Sequence, residues 1–156
     1  MPTVCIGLNG LTISPQTVGL PTTAAIVTSA VVVSAAGAGV AAVAGYCKVL
    51  DIARCWATST GMTRPHLKSK FQVNLPSNWN GKAMMFGGGG YNGVLATGVG
   101  NVLAGPTDNP APLAHGYATF GGDLGQQANA NGSRGGTFDA NGEALKNFAS
   151  DAIRKA

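Results

Sequence analysis

The sequence predicts an α/β fold: a β-rich, glycine-rich N-terminal extension over residues 1–65, then the first part of an α/β domain over residues 66–156. Three observations predict it. Short runs of β-type residues recur from Leu11 to Phe120 and are punctuated by Gly, Pro, Ser and Thr. Four consecutive glycines, Gly87–Gly90, follow directly on one of these runs. The best helical pattern comes last, with no strand behind it to which a crossover unit could return. The domain is therefore expected to be incomplete.

Taken in order, Leu11–Ile13, Ala25–Val27 and Val31–Val33 read as short strands, separated by Pro15, Pro21 and Ser/Thr clusters. Residues 35–45 form a low-complexity loop, Tyr46–Ile52 a further strand and residues 55–65 a connector. Phe71, Val73 and Leu75 alternate with Gln72 and Asn74, the period of a half-buried strand that ends at Pro76. Asn80-Gly81 supplies hairpin-turn residues, so Lys82–Phe86 is expected to fold back on that strand. Gly98, Gly100 and Gly105 argue against a helix over residues 94–105. Tyr117–Phe120 reads as another apolar strand and residues 124–138 as a surface loop. Leu145, Phe148, Ala149, Ala152 and Ile153 share one helical face, with Asn141 as N-cap, Glu143 in the first turn, and Arg154 and Lys155 in the last.

Composition narrows the partners. Only 10% of residues are charged, and residues 1–47 contain no Asp, Glu, Lys or Arg. The net charge of +4 includes no Lys/Arg run interleaved with aromatics, so no nucleic-acid partner is expected. Ala24–Gly45 could cross a bilayer by length, but it is built from Ala, Gly, Ser, Thr and Val and is broken by Gly37 and Gly39. A buried, strand-rich segment is expected there, not a membrane span. No basic segment precedes it as in a secretory signal. Cys5, Cys47 and Cys55 have no CxxC spacing and only two histidines accompany them, so no metal site is expected. A Cys5–Cys47 bridge would close about forty residues and contribute roughly 4 kcal/mol. Three buried free thiols in a reducing compartment are the alternative, and residue arithmetic leaves both open.

No catalytic triad can be assembled from these residues. The elbow G-x-S-x-G is absent; Asn131-Gly132-Ser133-Arg134-Gly135 departs at its first position and has loop flanks, which makes Ser133 a poor nucleophile. His66 and His115 read as structural or exposed. Gly88, Gly90 and Gly93 satisfy G-x-G-x-x-G, but a dinucleotide cradle needs a helix immediately afterwards and an acidic residue about twenty positions on. Neither is present. The same loop suits another task, because bare N–H groups just after a strand can hold the charge that develops on an ester carbonyl. The bland alternative is a glycine-rich turn with no ligand.

Leu75-Pro76-Ser77-Asn78-Trp79-Asn80-Gly81-Lys82, followed by Gly87–Gly90, Tyr91 and Gly93, resembles the LP-x-x-WNG-[RK]…GGGG-[FY]-x-G block of the tannase/feruloyl esterase family. Colinear with it, Cys5…Leu8 and Tyr46-Cys47-Lys48-Val49 are similar to the family's C-x-x-L…YC-x-V start. Leu113…Gly116-Tyr117-Ala118…Gly122-Asp123-x-Gly125 is similar to its L-x-x-GYA…TD-x-GH block, and Phe138…Phe148 to the segment before its helix. The resemblance implies the N-terminal part of an α/β-hydrolase that cleaves gallate- or ferulate-type aromatic esters through a serine acyl-enzyme. It implies a Cys5–Cys47 disulfide and a secreted or periplasmic location. Gly90, with Gly89, would contribute the oxyanion hole, and Tyr91 would line the pocket edge. The family's G-C-S-x-G-G nucleophile motif, its later Asp and His, and its calcium-binding lid have no counterpart in these residues, and Gln126 replaces the histidine of TD-x-GH.

The leading expectation is thus a fragment or truncated member that supplies oxyanion donors but no triad. No catalytic residue is assigned within the chain, no cofactor is expected, and the chain alone should be inactive. Self-association through an exposed sheet edge is expected as well. A non-catalytic binding module and a nucleotide-binding protein are the alternatives, which a downstream G-C-S-x-G or detectable NAD binding would separate.

Overall fold

The computed structural model describes residues 2–18, 22–39, 42–55, 68–102, 105–106, 108–128, 132–140 and 142–151. Its main body is one mixed sheet of six strands: β1 (Thr12–Ile13), β2 (Thr22–Val33), β3 (Tyr46–Cys55), β4 (Lys68–Pro76), β5 (Ala83–Phe86) and β6 (Ala118–Gly122). The helices are short: α1 (Pro2–Ile6), α2 (Pro15–Val18) and α3 (Gly142–Lys146), with a 3-10 turn at Thr137–Ala140 and a π turn at Asn147–Asp151. The strand order is β1-β2-β3-β4-β6-β5, antiparallel throughout except for the parallel β5–β6 pair. The β3–β4 ladder joins Tyr46–Arg54 to Lys68–Pro76, so the sheet is continuous from the N-terminal residues into the rest.

The expected runs at 25–27 and 31–33 join into the single strand β2, and the ladder absorbs Thr28 as an irregularity between Val27 and Ser29. The small helix α1 covers this strand. Cys5, Val27, Ala30 and Val49 form a buried cluster with Leu8, Cys47 and Val73 against it. A disulfide joins Cys5 to Cys47, so α1 is tied covalently to β3. The Asn9 side chain completes the attachment. Its Oδ1 accepts from Ala30 N–H at 2.7 Å and its Nδ2 donates to Ala30 C=O at 3.0 Å, standing in for a neighbouring strand.

The β4–β5 hairpin expected from Asn80-Gly81 does not form. Both strands exist, but β6 lies between them and pairs with each. The physical reason is local. A two-residue type I′ turn needs φ > 0 at both central positions, and of this pair only Gly81 (φ 82°) has it. Asn80 is committed elsewhere, donating through Nδ2 to His115 C=O (2.7 Å) and through its own N–H to Gly116 C=O (2.9 Å). Gly116 (φ 80°) fits because a Cβ there would lie 2.5 Å from Asn78 C=O. Trp79 donates its indole N–H to Lys82 C=O. The W-N-G and G-Y segments therefore clasp one another at the start of β6.

The polar positions of β4 are also not where alternation put them. Gln72 and Asn74 are buried, while Leu75 is 41% exposed. The cover on the polar face is backbone, the chain between residues 94 and 100, whose carbonyls need donors. Gln72 and Asn74 both donate to Thr97 C=O, at 3.1 and 2.8 Å, and Asn74 also donates to Thr119 Oγ1 at 2.9 Å. The last helix is shorter than its pattern suggests. Ala144 is buried and Phe148 half-buried, but Leu145 is 44% exposed and Ala149 exposed. Asn141, Ala152, Ile153, Arg154 and Lys155 lie outside the described residues, as does His66. Among the described residues no helix is long and apolar enough to cross a membrane.

Because the Cys5–Cys47 bridge restrains a separation of 42 residues, Cys5→Ser is expected to cost about 4 kcal/mol. Urea unfolding of the variant and of reduced wild type should show the same drop in midpoint. Equal midpoints for oxidised and reduced protein would remove the bridge from the stability account.

Candidate functional site at the end of strands β5 and β6

Parallel strands β5 and β6 end side by side, Phe86 opposite Gly121. Crevices at the carboxyl ends of parallel strands are where α/β sheets present backbone donors to ligands. Here the exit of β5 is Gly87–Gly90, all exposed. The loop turns at residues 89–92, closed by Asn92 N–H donating to Gly89 C=O at 3.0 Å. Gly90 sits in the left-handed region (φ 60°), and a Cβ there would lie 2.5 Å from Ser133 C=O. A Cβ at Gly88 would collide with Asn92 Oδ1, and one at Gly93 (φ 79°) would come within 2.6 Å of Ala128 N. A Cβ at Gly87 or Gly89 would meet nothing within 4 Å among the described residues. The G-x-G-x-x-G spacing is thus a packing requirement at this corner. No helix follows it over residues 94–102, so the phosphate-cradle geometry is absent.

The segment leaving β6 holds the loop in place. Asn92 Nδ2 donates to Gly122 C=O (3.0 Å), Gly93 N–H to Asp123 C=O (3.2 Å), Ala96 N–H to Gly122 C=O (3.3 Å), and Ala128 N–H to Gly93 C=O (2.8 Å). Gln126, buried where the family pattern has histidine, donates through Nε2 to Tyr91 C=O at 2.6 Å. That bond explains how an amide can occupy the position: the site needs a donor there. Asp123 is buried and accepts from Lys70 N–H, Gly125 N–H and Gln127 Nε2 at 3.1, 2.9 and 2.7 Å. Burial pushes its carboxyl pKa up from 3.8, against the pull of those hydrogen bonds and of the Lys70 charge.

The donors of Gly89 and Gly90 are left over. Among the described residues, no group accepts from either N–H. Tyr91 points its ring at Phe138 and Phe148, with centroids 5.9 and 6.1 Å away and edge-to-face geometry, and so ties the glycine loop to the 3-10 and π turns that flank α3. Tyr91 N–H donates to Ser133 C=O at 2.8 Å. Ser133 makes no hydrogen bond to a histidine among the described residues, and His115 is exposed and held through its backbone, its N–H donating to Pro112 C=O and its C=O accepting from Asn80 Nδ2. A separate cleft of about 350 Å³, lined by Met84, Val102, Pro106, Pro112, His115 and Tyr117 among others, does not include Gly87–Gly90. Sequence reasoning singled out Gly89, Gly90 and Tyr91 but passed over Asn92, whose signal was modest: an Asn between Tyr and Gly, a residue type that tolerates φ > 0.

A family model described as "Tannase and feruloyl esterase" matches residues 47–156. An uncharacterized esterase of Agrobacterium fabrum is 45% identical over 86 residues, which cover 54% of this chain and 15% of that protein. The crystal structure of feruloyl esterase B from Aspergillus oryzae superposes with a TM-score of 0.52 at 20% identity, over 95% of this chain and 26% of the other. That likeness supports a partial α/β fold of this type. The match spans about a seventh of the curated relative and about a quarter of the solved structure.

Two outcomes check this geometry. Gly88→Ala should be destabilised by about 1–3 kcal/mol through overpacking against Asn92, whereas Gly89→Ala should stay within about 0.5 kcal/mol of wild type. Equal urea midpoints for the two variants would show that the loop is not packed as described. For Asp123, a raised folded-state pKa means a contribution to stability that is full below 3.8 and lost as pH rises through the raised value. Stability of wild type relative to Asp123→Asn should therefore fall with rising pH across that window. A rise would contradict the direction.

Proposed function

The chain belongs to the tannase and feruloyl esterase family, and from that premise we propose that it supplies the oxyanion-binding loop of a carboxylic ester hydrolase. The carrying observation is the pair of exposed N–H groups of Gly89 and Gly90 at the carboxyl end of β5, which find no acceptor among the described residues. Acyl transfer from an ester passes through a tetrahedral intermediate whose oxygen carries a full negative charge. Donors fixed beforehand at about 2.7–3.1 Å from that oxygen stabilise it without reorganising, and losing one costs about 10²–10³ in kcat. A glycine backbone is suited to this task because no Cβ keeps the substrate away.

In this reading Gly90 is the main donor, Gly89 assists, and the Tyr91 backbone marks the pocket edge while its ring anchors the loop. Residues 1–65 act as a β-rich extension that lengthens the sheet, and residues 66–156 begin the hydrolase domain. The serine, histidine and aspartate of the acyl-enzyme mechanism are supplied by residues outside these 156, and no cofactor takes part. Gallate- or ferulate-type aromatic esters are the substrate class, on the strength of the family resemblance. A secreted or periplasmic location agrees with the Cys5–Cys47 disulfide, since such bridges persist in oxidising compartments.

The test is a titration of the ¹⁵N-labelled chain with phenylphosphonate, a tetrahedral aromatic oxyanion. The Gly89 and Gly90 amide signals should shift together and saturate. Shifts confined to the residues of the Met84–Tyr117 cleft, or none at all, would overturn the assignment. The chain alone should neither hydrolyse 4-nitrophenyl esters nor form a covalent adduct with a serine-directed fluorophosphonate. An adduct on Ser133 would place the nucleophile here instead.

A further inference from the structure

The geometry points to Asn92 as the positioning residue that aims the Gly90 N–H, an inference that rests on the oxyanion reading of the loop. The argument begins in a single peptide plane. Gly89 C=O and Gly90 N–H belong to the same peptide unit, no peptide bond among the described residues is cis, and in a trans unit the two groups point in opposite directions. Whatever captures Gly89 C=O therefore turns Gly90 N–H the other way. The captor is the backbone N–H of Asn92, at 3.0 Å.

A turn alone would fix that direction only relative to itself. The Asn92 side chain fixes it relative to the sheet. Its Nδ2 donates to Gly122 C=O at 3.0 Å, and Gly122 is the last residue of β6, adjacent to the Gly121 that pairs with Phe86. Its Oδ1 occupies the space beneath Gly88 that a side chain there would need. The residue is 3% exposed and holds φ at 53°. Asparagine meets all these demands together: a short side chain, an amide donor, and tolerance of the left-handed region. Asn92 does not touch the reacting atoms. It sets where the donor that does so will point.

The measurement is made on the ¹⁵N-labelled 156-residue chain. Residual dipolar couplings give the orientation of the Gly90 N–H relative to the β5 and β6 amides, and relaxation gives its order parameter. Wild type should show a Gly90 as rigid as the strands, near about 0.85. In Asn92→Gly, which keeps the left-handed backbone but removes the amide, and in Asn92→Asp, which keeps the shape but not the donor, the value should fall below about 0.6 while the β4 and β6 couplings stay unchanged. Phenylphosphonate binding read at Gly90 should weaken about tenfold, the equivalent of one lost hydrogen bond.

A rigid, unchanged Gly90 vector in either folded variant overturns the inference. So does a mobile Gly90 in wild type, a result that does not depend on whether the variants fold. If the vector behaves as expected but wild type ignores phenylphosphonate, the positioning role stands and the oxyanion reading fails.

Discussion

One carbonyl carries the corner on which the site depends. Gly122 C=O, at the end of β6, accepts from Asn92 Nδ2 and from Ala96 N–H, so both of its lone pairs are committed to the glycine-rich segment. A substitution that moved this carbonyl would release the loop at two points. The approach is close because the strand end is itself glycine: a Cβ at Gly121 would collide with Ala96 C=O, and one at Gly122 would come within 3.2 Å of Lys70 C=O. Backbone, not side chains, makes the contact between loop and sheet. That explains how a segment so poor in large residues can still be held.

The polar underside serves the same arrangement. A loop laid across a sheet brings carbonyls that a hydrocarbon face could not satisfy, and each one left unpaired would cost about 1–3 kcal/mol. Gln72 and Asn74 meet that need for Thr97 C=O, Gln72 also donates to Asn74 Oδ1, and Thr119 Oγ1 accepts from Asn74. The apolar core lies on the other face, where Cys5, Val27, Ala30 and Val49 gather under α1. The two faces of β4 therefore do different work, one excluding water and one seating a loop.

Much of this was legible in the sequence, and the parts that were not share a cause. The strands at Tyr46, Phe71, Lys82 and Tyr117, the irregular stretch after residue 93, and the Cys5–Cys47 pairing implied by family resemblance all correspond to elements of the structure. Strand composition and family motifs are local properties and read directly. Pairing of β4 with β5 and solvent exposure of Gln72 and Asn74, the local expectations, give way because both depend on what arrives from far along the chain: β6 in one case, the Thr97 segment in the other. Alternation says that two faces differ, not what covers them. The four-glycine run announced a loop with bare donors, yet nothing local marked Asn92, because its partner Gly122 is thirty residues away.

The clasp between Asn80 and Gly116 has a consequence for how the chain assembles. Sheet order and chain order disagree, since β5 is synthesised before the strand that must separate it from β4. Until residue 122 is available, β4 and β5 are neighbouring strands joined by a short turn, and the nearest competing structure is the simple hairpin between them. A long-range pairing is slow because the intervening chain must close first. Asn80 lacks the positive φ that the competing turn would need, and the groups that would stabilise that turn are kept for Gly116 and His115. The residues that join the two strands thus work against their premature union, leaving the gap into which β6 is later received.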